Sequence, residues 1–435
     1  MGILARVAEP PQMSSKARGA DMTGTRTTVA GSWKEIAASL FKLGATSYGG
    51  PAIMGIMQAE LQEKRRWVSK ERFLEGLAVA NMLPGATATQ LGIFLGYARG
   101  GWVGGLLGGV CFVLPAFVIM LGLTIAYAGL SVTPVARGAL YGLGPVVLGL
   151  YAVAVYRLGR AAATTVPEMV IGLLAAAAAI GTSLGVVVIL VLAGIAGLVL
   201  LQPVRPRALW VSLSCVLFAA ILTAAWWLPM SLSLFAARGG IPDPRNLWDL
   251  GIYFLKVGAF TIGGGLAMIA FIQDQVVGQY GWLTAREFID GLALGQLTPG
   301  PVLMIAAYVG YKAAGPAGAA VAGGAAFLPS FVIMLGVLPI LDRVRKLAWV
   351  RAVMKGMAPA VIGVLAVSLI RLAPAALPDA IAVAILAATL LALAVFQIGA
   401  FRLMIAGAVL GVLRSSLPAM RVVRAARHLL TWTAA

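Results

Sequence analysis

The stretch FKLGATSYGGPAIM, residues 41–54, decides how this chain must be read. It sits in strongly apolar surroundings, yet places a lysine, three hydroxyls and a Gly-Gly-Pro break inside one hydrophobic segment. In water this would be an ordinary helix end. In a bilayer, an interrupted helix strands N–H and C=O groups that lipid cannot satisfy. Residues 255–268, LKVGAFTIGGGLAM, write nearly the same thing a second time.

The rest of the chain places both stretches in a membrane. It has 435 residues, 61% hydrophobic and 11% charged, with a mean hydropathy of +0.96. Soluble domains carry about 25% charged residues. The apolar run at 171–201 holds 31 residues. One crossing takes roughly 20, so this run is a short-looped pair or one long tilted helix. Allowing for Gly and Pro breaks, about 13 hydrophobic segments are expected. The fold class is therefore an all-α integral membrane protein.

The net charge of +18 would suggest nucleic acid in a soluble protein. Here Lys and Arg lie between apolar segments, and the positive-inside rule accounts for them; no nucleic-acid partner is expected. Cys111 and Cys215 lie in apolar runs, and the single histidine, His428, is in the tail. That argues against zinc or His-based catalysis, and no cofactor or enzymatic activity is expected. Residues 1–31 are polar, lack an apolar core and read as a disordered cytoplasmic lead. Ser32 to Glu35 read as a capping box opening the first helix.

The chain is a duplication. FVLPAFVIMLG at 112–122 matches AFLPSFVIMLG at 326–336 at eight of eleven positions, with a spacing of 214. That spacing also pairs Lys42 with Lys256, Ser47 with Thr261, Gly49 with Gly263, Gly50 with Gly264 and Glu60 with Asp274. After a one-residue gain, Trp67, Glu75, Gly76, Asn81, Pro84 and Gly85 pair with Trp282, Asp290, Gly291, Gln296, Pro299 and Gly300. Arg137, Gly142, Pro145 and Arg157 return as Arg351, Gly356, Pro359 and Arg371. The expected division is a lead at 1–31, repeats at 33–204 and 247–415, a hydrophobic linker segment within 205–246, and a basic tail at 416–435.

Loop charge orients the copies. Residues 61–72 hold five Lys/Arg and their counterpart 275–287 one, whereas 338–351 hold four and their counterpart 124–137 one. Equivalent loops then lie on opposite sides of the membrane, and the repeats are expected to be inverted. The same charges fit if 33–60 and 73–98 each enter the bilayer and turn back, at Gly49-Gly50-Pro51 and at Pro84-Gly85. The alternative is that each spans fully and the rule fails locally. In this count the basic tail (Arg421, Arg424, Arg427) falls outside.

Broken helices at paired positions of two inverted halves point to a transporter's binding site. A half-helix starting at a break aims free N–H groups and a partial positive charge at the midplane, which suits an anion. The breaks carry neutral polar groups, Thr46, Ser47, Tyr48, Asn81, Thr87, Thr89 and Gln90 in the first half and Thr261, Gln296 and Thr298 in the second. Such donors suit a tetrahedral oxyanion. Lys42 and Lys256 would compensate its charge, or only snorkel from helix ends. Glu60, Glu75, Asp274 and Asp290 are candidates for coupling. The blander reading makes the Glu60 and Asp274 pair structural ion-pair partners and the other two first-turn helix residues. Helix packing is the blander role for the glycines; Arg157 and Arg371 read as interface anchors.

These residues also carry a resemblance. The run from FKLGATSYGGPA through RRWVSKERFLEGLAVANMLPGATATQLGIFLGY resembles the signature half of the chromate ion transporter family. FTIGGGLAMI followed by WLTAREFIDGLALGQLTPGPV resembles its second half. The resemblance covers nearly all of the chain after residue 31. It implies a two-domain member that exports chromate across the bacterial inner membrane and confers chromate resistance. Sulfate, isosteric with chromate, is the implied competitor or counter-substrate. Gly49, Gly50, Pro51, Asn81, Pro84 and Gly85 fall on the family's motif positions, as do Gly263, Gly264, Gly265, Gln296, Pro299 and Gly300. Gly-Gly-Gly-Leu in the second copy stands where the first has Gly-Gly-Pro-Ala, so equivalent half-sites are not expected.

Expelling a dianion from a cell that is negative inside is electrically downhill, by about 4.6 kcal/mol per 100 mV. No GxxxxGK[ST] motif is present, and a secondary transporter needs none. A sulfate or other oxyanion carrier, an anion channel and a homodimeric assembly stay open at this stage.

Overall fold

The computed structural model describes residues 33–48, 51–130, 133–182, 185–200, 243–261, 267–340 and 348–416. Among them the chain is helical and has no strand. The polar lead with Ser32, the linker segment at 208–235, the basic tail and Gly49, Gly50, Gly263, Gly264 and Gly265 lie outside the described residues.

Each repeat opens with two helical hairpins. In the first, α1 (Trp33–Thr46) stops before the Gly-Gly pair, and α2 (Pro51–Met57) restarts beyond it and continues as π-helical turns over Gln58–Lys64. Proline suits that restart because its missing N–H is one a helix start leaves unpaired anyway. The two arms fold back on each other. Trp67, just past α2, donates its indole N–H to Glu35 at 3.1 Å, and Arg99 reaches the same carboxylate at 3.4 Å.

The second hairpin joins α3 (Lys70–Met82) to α4 (Thr87–Leu130) across Leu83-Pro84-Gly85-Ala86. Ser69 caps α3 by accepting from the Arg72 N–H. The Phe94 ring covers Gly76, and the Arg72 guanidinium lies 5.5 Å from the centre of that ring. Residues 76 and 94 can touch only if α3 and the start of α4 run antiparallel about Gly85. The chain then turns again inside α4, where Gly100 and Gly101 leave helical geometry, Gly101 with φ 62°. The arms 87–99 and 102–130 pack through Gly96 against Gly104 and Gly92 against Gly108. The long arm leads into α5 (Pro134–Ala162), and the apolar run beyond it resolves into the pair α6 (Val166–Gly181) and α7 (Val186–Leu200).

The second repeat copies this order. It runs α8 (Leu247–Ala259), α9 (Ala267–Ile272, with π-helical turns at Gln273–Gln279) and α10 (Ala285–Leu297). A short 3-10 turn at Val302–Met304 leads to α11 (Ile305–Val337), followed by α12 (Ala348–Ala376), α13 (Ala380–Ala394) and α14 (Ala400–Ser416). The capping box at Thr284 and Glu287 opens α10. Tyr308 on α11 donates to the Glu287 carbonyl at 2.9 Å and Lys312 pairs with the Glu287 carboxylate at 2.7 Å, so this hairpin closes too. α11 breaks at Ala314-Gly315, Gly315 with φ 65°, as α4 does.

The long arms of the two repeats pack on each other. An added Cβ at Gly109 would meet the Phe331 ring at 2.5 Å, and one at Gly323 would meet the Phe117 ring at 3.3 Å. With a spacing of 214 these two contacts are images of each other, so the long arms of α4 and α11 cross head to tail. Tyr127, near the end of the α4 arm, donates to Asp290 on α10 at 3.2 Å, while the other end of that arm, at Gly104, lies near Ile36. Terminal helix pairs are exchanged: α6 and α7 pack on α12, and α13 and α14 pack on α5. The exchanged contacts run through small residues, Gly197 on Gly356, Gly172 on Gly363 and Gly142 on Gly407. Close backbone approach of this kind drives helix association in lipid, where burial of apolar surface gives little. Asp379 ties the same corner by capping α13 and accepting from Tyr141 and Arg414.

Four described helical stretches are long and apolar enough to cross a membrane: Thr87–Gly129, Pro134–Ala162, Val302–Ile340 and Trp349–Ala376. α5 and α12, each 29 residues, are about 43 Å long at 1.5 Å per residue, beyond the ~30 Å hydrocarbon core.

Gly44 has no room for a side chain, because a Cβ would strike the Phe112 carbonyl and lie 2.9 Å from Pro115 Cγ; Gly55 has nothing within 4 Å. Gly44→Ala is expected to destabilise the protein by about 3 kcal/mol. Gly55→Ala is expected to stabilise it by about 0.5 kcal/mol. Thermal unfolding in detergent reads both.

Candidate functional site

Described residues beside the breaks form two crossed hydrogen bonds. The Gly85 N–H donates to the Thr261 carbonyl at 2.7 Å, and the Gly300 N–H donates to the Ser47 carbonyl at 2.8 Å. Ser47 and Thr261 are counterparts, as are Gly85 and Gly300, so each bond is the other's image. Each links the second hairpin of one repeat to the first hairpin of the other. Gly85 and Gly300 have φ of 127° and 96°, conformations that favour glycine.

Around Gly85 the lining is polar. The Ala86 N–H donates to Ser330 Oγ at 2.8 Å, and Gln90 Nε2 donates to the Pro84 carbonyl at 2.7 Å. Ser47, Thr89 and Gln90 are 0% exposed. Ser47 Oγ, Thr89 Oγ1 and Gln90 Oε1 have no hydrogen-bond partner. A buried polar atom left unpaired costs about 1–3 kcal/mol; Gln90 Oε1 lies at the Gly85 crossing, and Ser47 lies at the Gly300 crossing, where its carbonyl takes the Gly300 N–H. Around Gly300 the lining is more apolar, Ser47 apart: Ala116 approaches it, Thr298 is spent on the Leu294 carbonyl at 2.8 Å and Met120 lies against Thr298. Thr261 likewise donates to the Val257 carbonyl at 2.7 Å.

The other candidates divide. Lys42 is exposed and Lys256 half-buried, each seven residues before the first glycine of its break. Tyr48 is exposed with its ring 5.2 Å from that of Phe401. α2 begins at Pro51. Asn81 is exposed, whereas its counterpart Gln296 donates to the Tyr151 hydroxyl at 2.8 Å, and Pro299 is buried.

The four carboxylates stand away from the breaks. Glu60 pairs with Arg65 at 3.0 Å and Lys64 at 3.3 Å, and these partners hold its carboxyl below its ordinary value. Glu75 pairs with Arg72 at 2.9 Å. Asp274 pairs with Arg371 at 3.4 Å beside a cavity of about 460 Å³ lined also by Gln279, Ser368 and Thr182. That cavity adjoins the π-helical end of α9, not the breaks, and an ion pair already fills its charged wall. Asp290 is 5% exposed, with Arg286 at 3.3 Å; its counterpart Glu75 is far more open.

Three contributors escaped the sequence reading. Glu35 ties Trp67 to Arg99, although its position suggested only a helix start. Tyr151 holds Gln296. Ser330 binds the second break, and its signal was available: it is the polar mismatch, Ala116 against Ser330, inside the LPxFVIMLG match. Among the described residues no group of His, Cys, Asp and Glu could hold a metal ion.

Comparison with known proteins bears on these features. The chromate transporter profile matches twice, over residues 34–198 and 248–412. A probable chromate transport protein of Synechococcus elongatus is 33% identical over 352 residues, covering 80% of this chain and 86% of that protein. Chromate transport proteins of Cupriavidus metallidurans and Pseudomonas aeruginosa are each 33% identical, over 80% and 79% of this chain and 84% and 81% of their own lengths. No solved structure matches.

A Cβ at Gly300 would lie 2.8 Å from Ala116 Cβ, and one at Gly85 would lie 2.6 Å from Ser330 Oγ. Gly85→Ala and Gly300→Ala are each expected to cost about 2 kcal/mol from backbone strain and crowding. Thermal unfolding of the purified variants checks this.

Proposed function

The chain belongs to the chromate transporter family, and on that premise we propose that it is a secondary transporter that exports chromate across the bacterial inner membrane and so confers chromate resistance. The observation that carries the reading is the crossed pair of hydrogen bonds between the breaks of the two repeats, beside buried polar atoms without partners. Groups of that kind offer an oxyanion hydrogen bonds from backbone and hydroxyls in a site free of carboxylates.

The repeats, 33–204 and 247–415, are inverted in this reading, with the linker segment of 205–246 crossing between them and the hairpins of each half re-entrant from opposite sides. The antiparallel crossing of the α4 and α11 arms supports this, because equivalent spanning helices that run head to tail have opposite orientations in the bilayer. Rocking one pair of hairpins against the other would break and remake the crossed bonds and expose the site alternately. Lys42 and Lys256 supply compensating charge at the approaches. Gly49, Gly50, Pro51, Gly263, Gly264 and Gly265 complete the breaks. Glu60, Glu75 and Asp274 keep the ion-pair roles described above, and sulfate is the isosteric ion against which selectivity is measured.

Radiolabelled chromate uptake into inverted vesicles, with sulfate, pH gradient and voltage varied separately, tests the reading. Flux that does not respond to voltage would speak for a different mechanism. Lys42→Ala and Lys256→Ala are each expected to lower flux about tenfold or more with folded protein retained; full activity in both removes them from the site. Cysteines placed in 61–72 and in 275–287 are expected to label from opposite sides, and labelling from one side defeats the inverted arrangement.

A further inference from the structure

The two halves of the site differ in one chemical respect that bears on which form of the oxyanion is carried. Beside Gly85, Ala86 offers an N–H and Ser330 a hydroxyl to receive it. At the matching positions beside Gly300 stand Pro301, which has no N–H, and Ala116, which has no hydroxyl. Thr89 and Gln90 are likewise unmatched; under either register their counterparts are apolar, among Leu303, Met304 and Ile305. Apart from Ser47, whose carbonyl takes the Gly300 N–H, these polar groups are therefore gathered in the half built on the start of α4.

Gln90 is fixed within that half. Its Nε2 donates to the Pro84 carbonyl at 2.7 Å, and that carbonyl can only accept. The amide is thereby oriented, and the atom left over, Oε1, is an acceptor with no partner in a fully buried side chain. A bare oxyanion offers nothing to such an atom, since all its oxygens are acceptors too. An oxyanion that retains one proton offers an O–H.

We infer that Gln90 reads that proton: the site takes a tetrahedral oxyanion in its singly protonated form, with Oε1 accepting from the anion's O–H. Chromate keeps a proton to near neutrality, whereas hydrogen sulfate is too strong an acid to do so. A single acceptor thus separates two ions of the same shape, and the species moved bears one charge rather than two. The inference rests on the transport reading above and narrows its substrate.

The test uses the full chain in liposomes, with labelled chromate flux measured against pH and against sulfate. On the alkaline side of chromate's ionisation, the wild-type KM in total chromate should rise about tenfold per pH unit, staying constant in hydrogen chromate. Gln90→Met should flatten that dependence and make sulfate at least about tenfold more competitive, whereas Gln90→Glu, which keeps an acceptor, should still reject sulfate. Charged groups on the hairpins and neighbouring helices (Glu35, Lys42, Arg72, Glu75, Arg99, Lys256, Arg286, Glu287, Asp290 and Lys312) are untouched by Gln90→Met, so a pH effect arising from them would persist in it. A wild-type KM that is flat with pH, or a Gln90→Met protein with unchanged pH dependence and sulfate rejection, overturns the inference. If Gln90→Met does not fold, the wild-type pH series decides. Absence of any chromate flux at any pH would instead overturn the transport reading itself.

Discussion

A helix broken inside an apolar phase must find partners for the backbone groups it releases. This protein answers that constraint by setting the breaks of one half against those of the other. The Gly85 N–H finds the Thr261 carbonyl and the Gly300 N–H finds the Ser47 carbonyl. At these described residues the backbone pairing runs from one half to the other, so the backbone chemistry of the site and the association of the repeats are coupled. The positive φ at Gly85 and Gly300 follows from it, since only a tight reversal brings each N–H across.

Packing elsewhere serves the same end. Hairpins are bent back by glycines at Gly101 and Gly315 and held shut by contacts such as Glu35 with Trp67 and Tyr308 with the Glu287 carbonyl. The long arms cross at Gly109 and Gly323, where the absence of a side chain admits the Phe331 and Phe117 rings. The hairpin tips can then move only as far as those few close contacts permit. The two halves remain chemically distinct within this shared frame, because Ser330 and Gln90 have apolar counterparts.

Much of this was legible in the sequence, and the remainder fails for identifiable reasons. Duplication and the positions of the breaks follow from residue matches alone, and the Thr284–Glu287 box from local hydrogen bonding. The extra turns at Gly100-Gly101 and Ala314-Gly315 were hidden, because a glycine pair in an apolar helix more often marks packing than reversal. The exchange of α6–α7 and α13–α14 was invisible, since their apolar residues pack as readily on one long helix as on another. The carboxylates were ambiguous for a related reason: Glu75 and Asp290 occupy the same motif position, yet Tyr127 from the other repeat lies over Asp290. A side chain's surroundings there depend on a partner hundreds of residues away.

The exchange of helix pairs has a consequence for synthesis. α5 emerges early, but the glycine face at Gly138 and Gly142 on which α14 will lie has no cover until the last described helix has been made. The first half must therefore wait in the bilayer unfinished while the ribosome completes the second. A chain halted near residue 380 would hold every break and still lack the clasp that closes its own beginning.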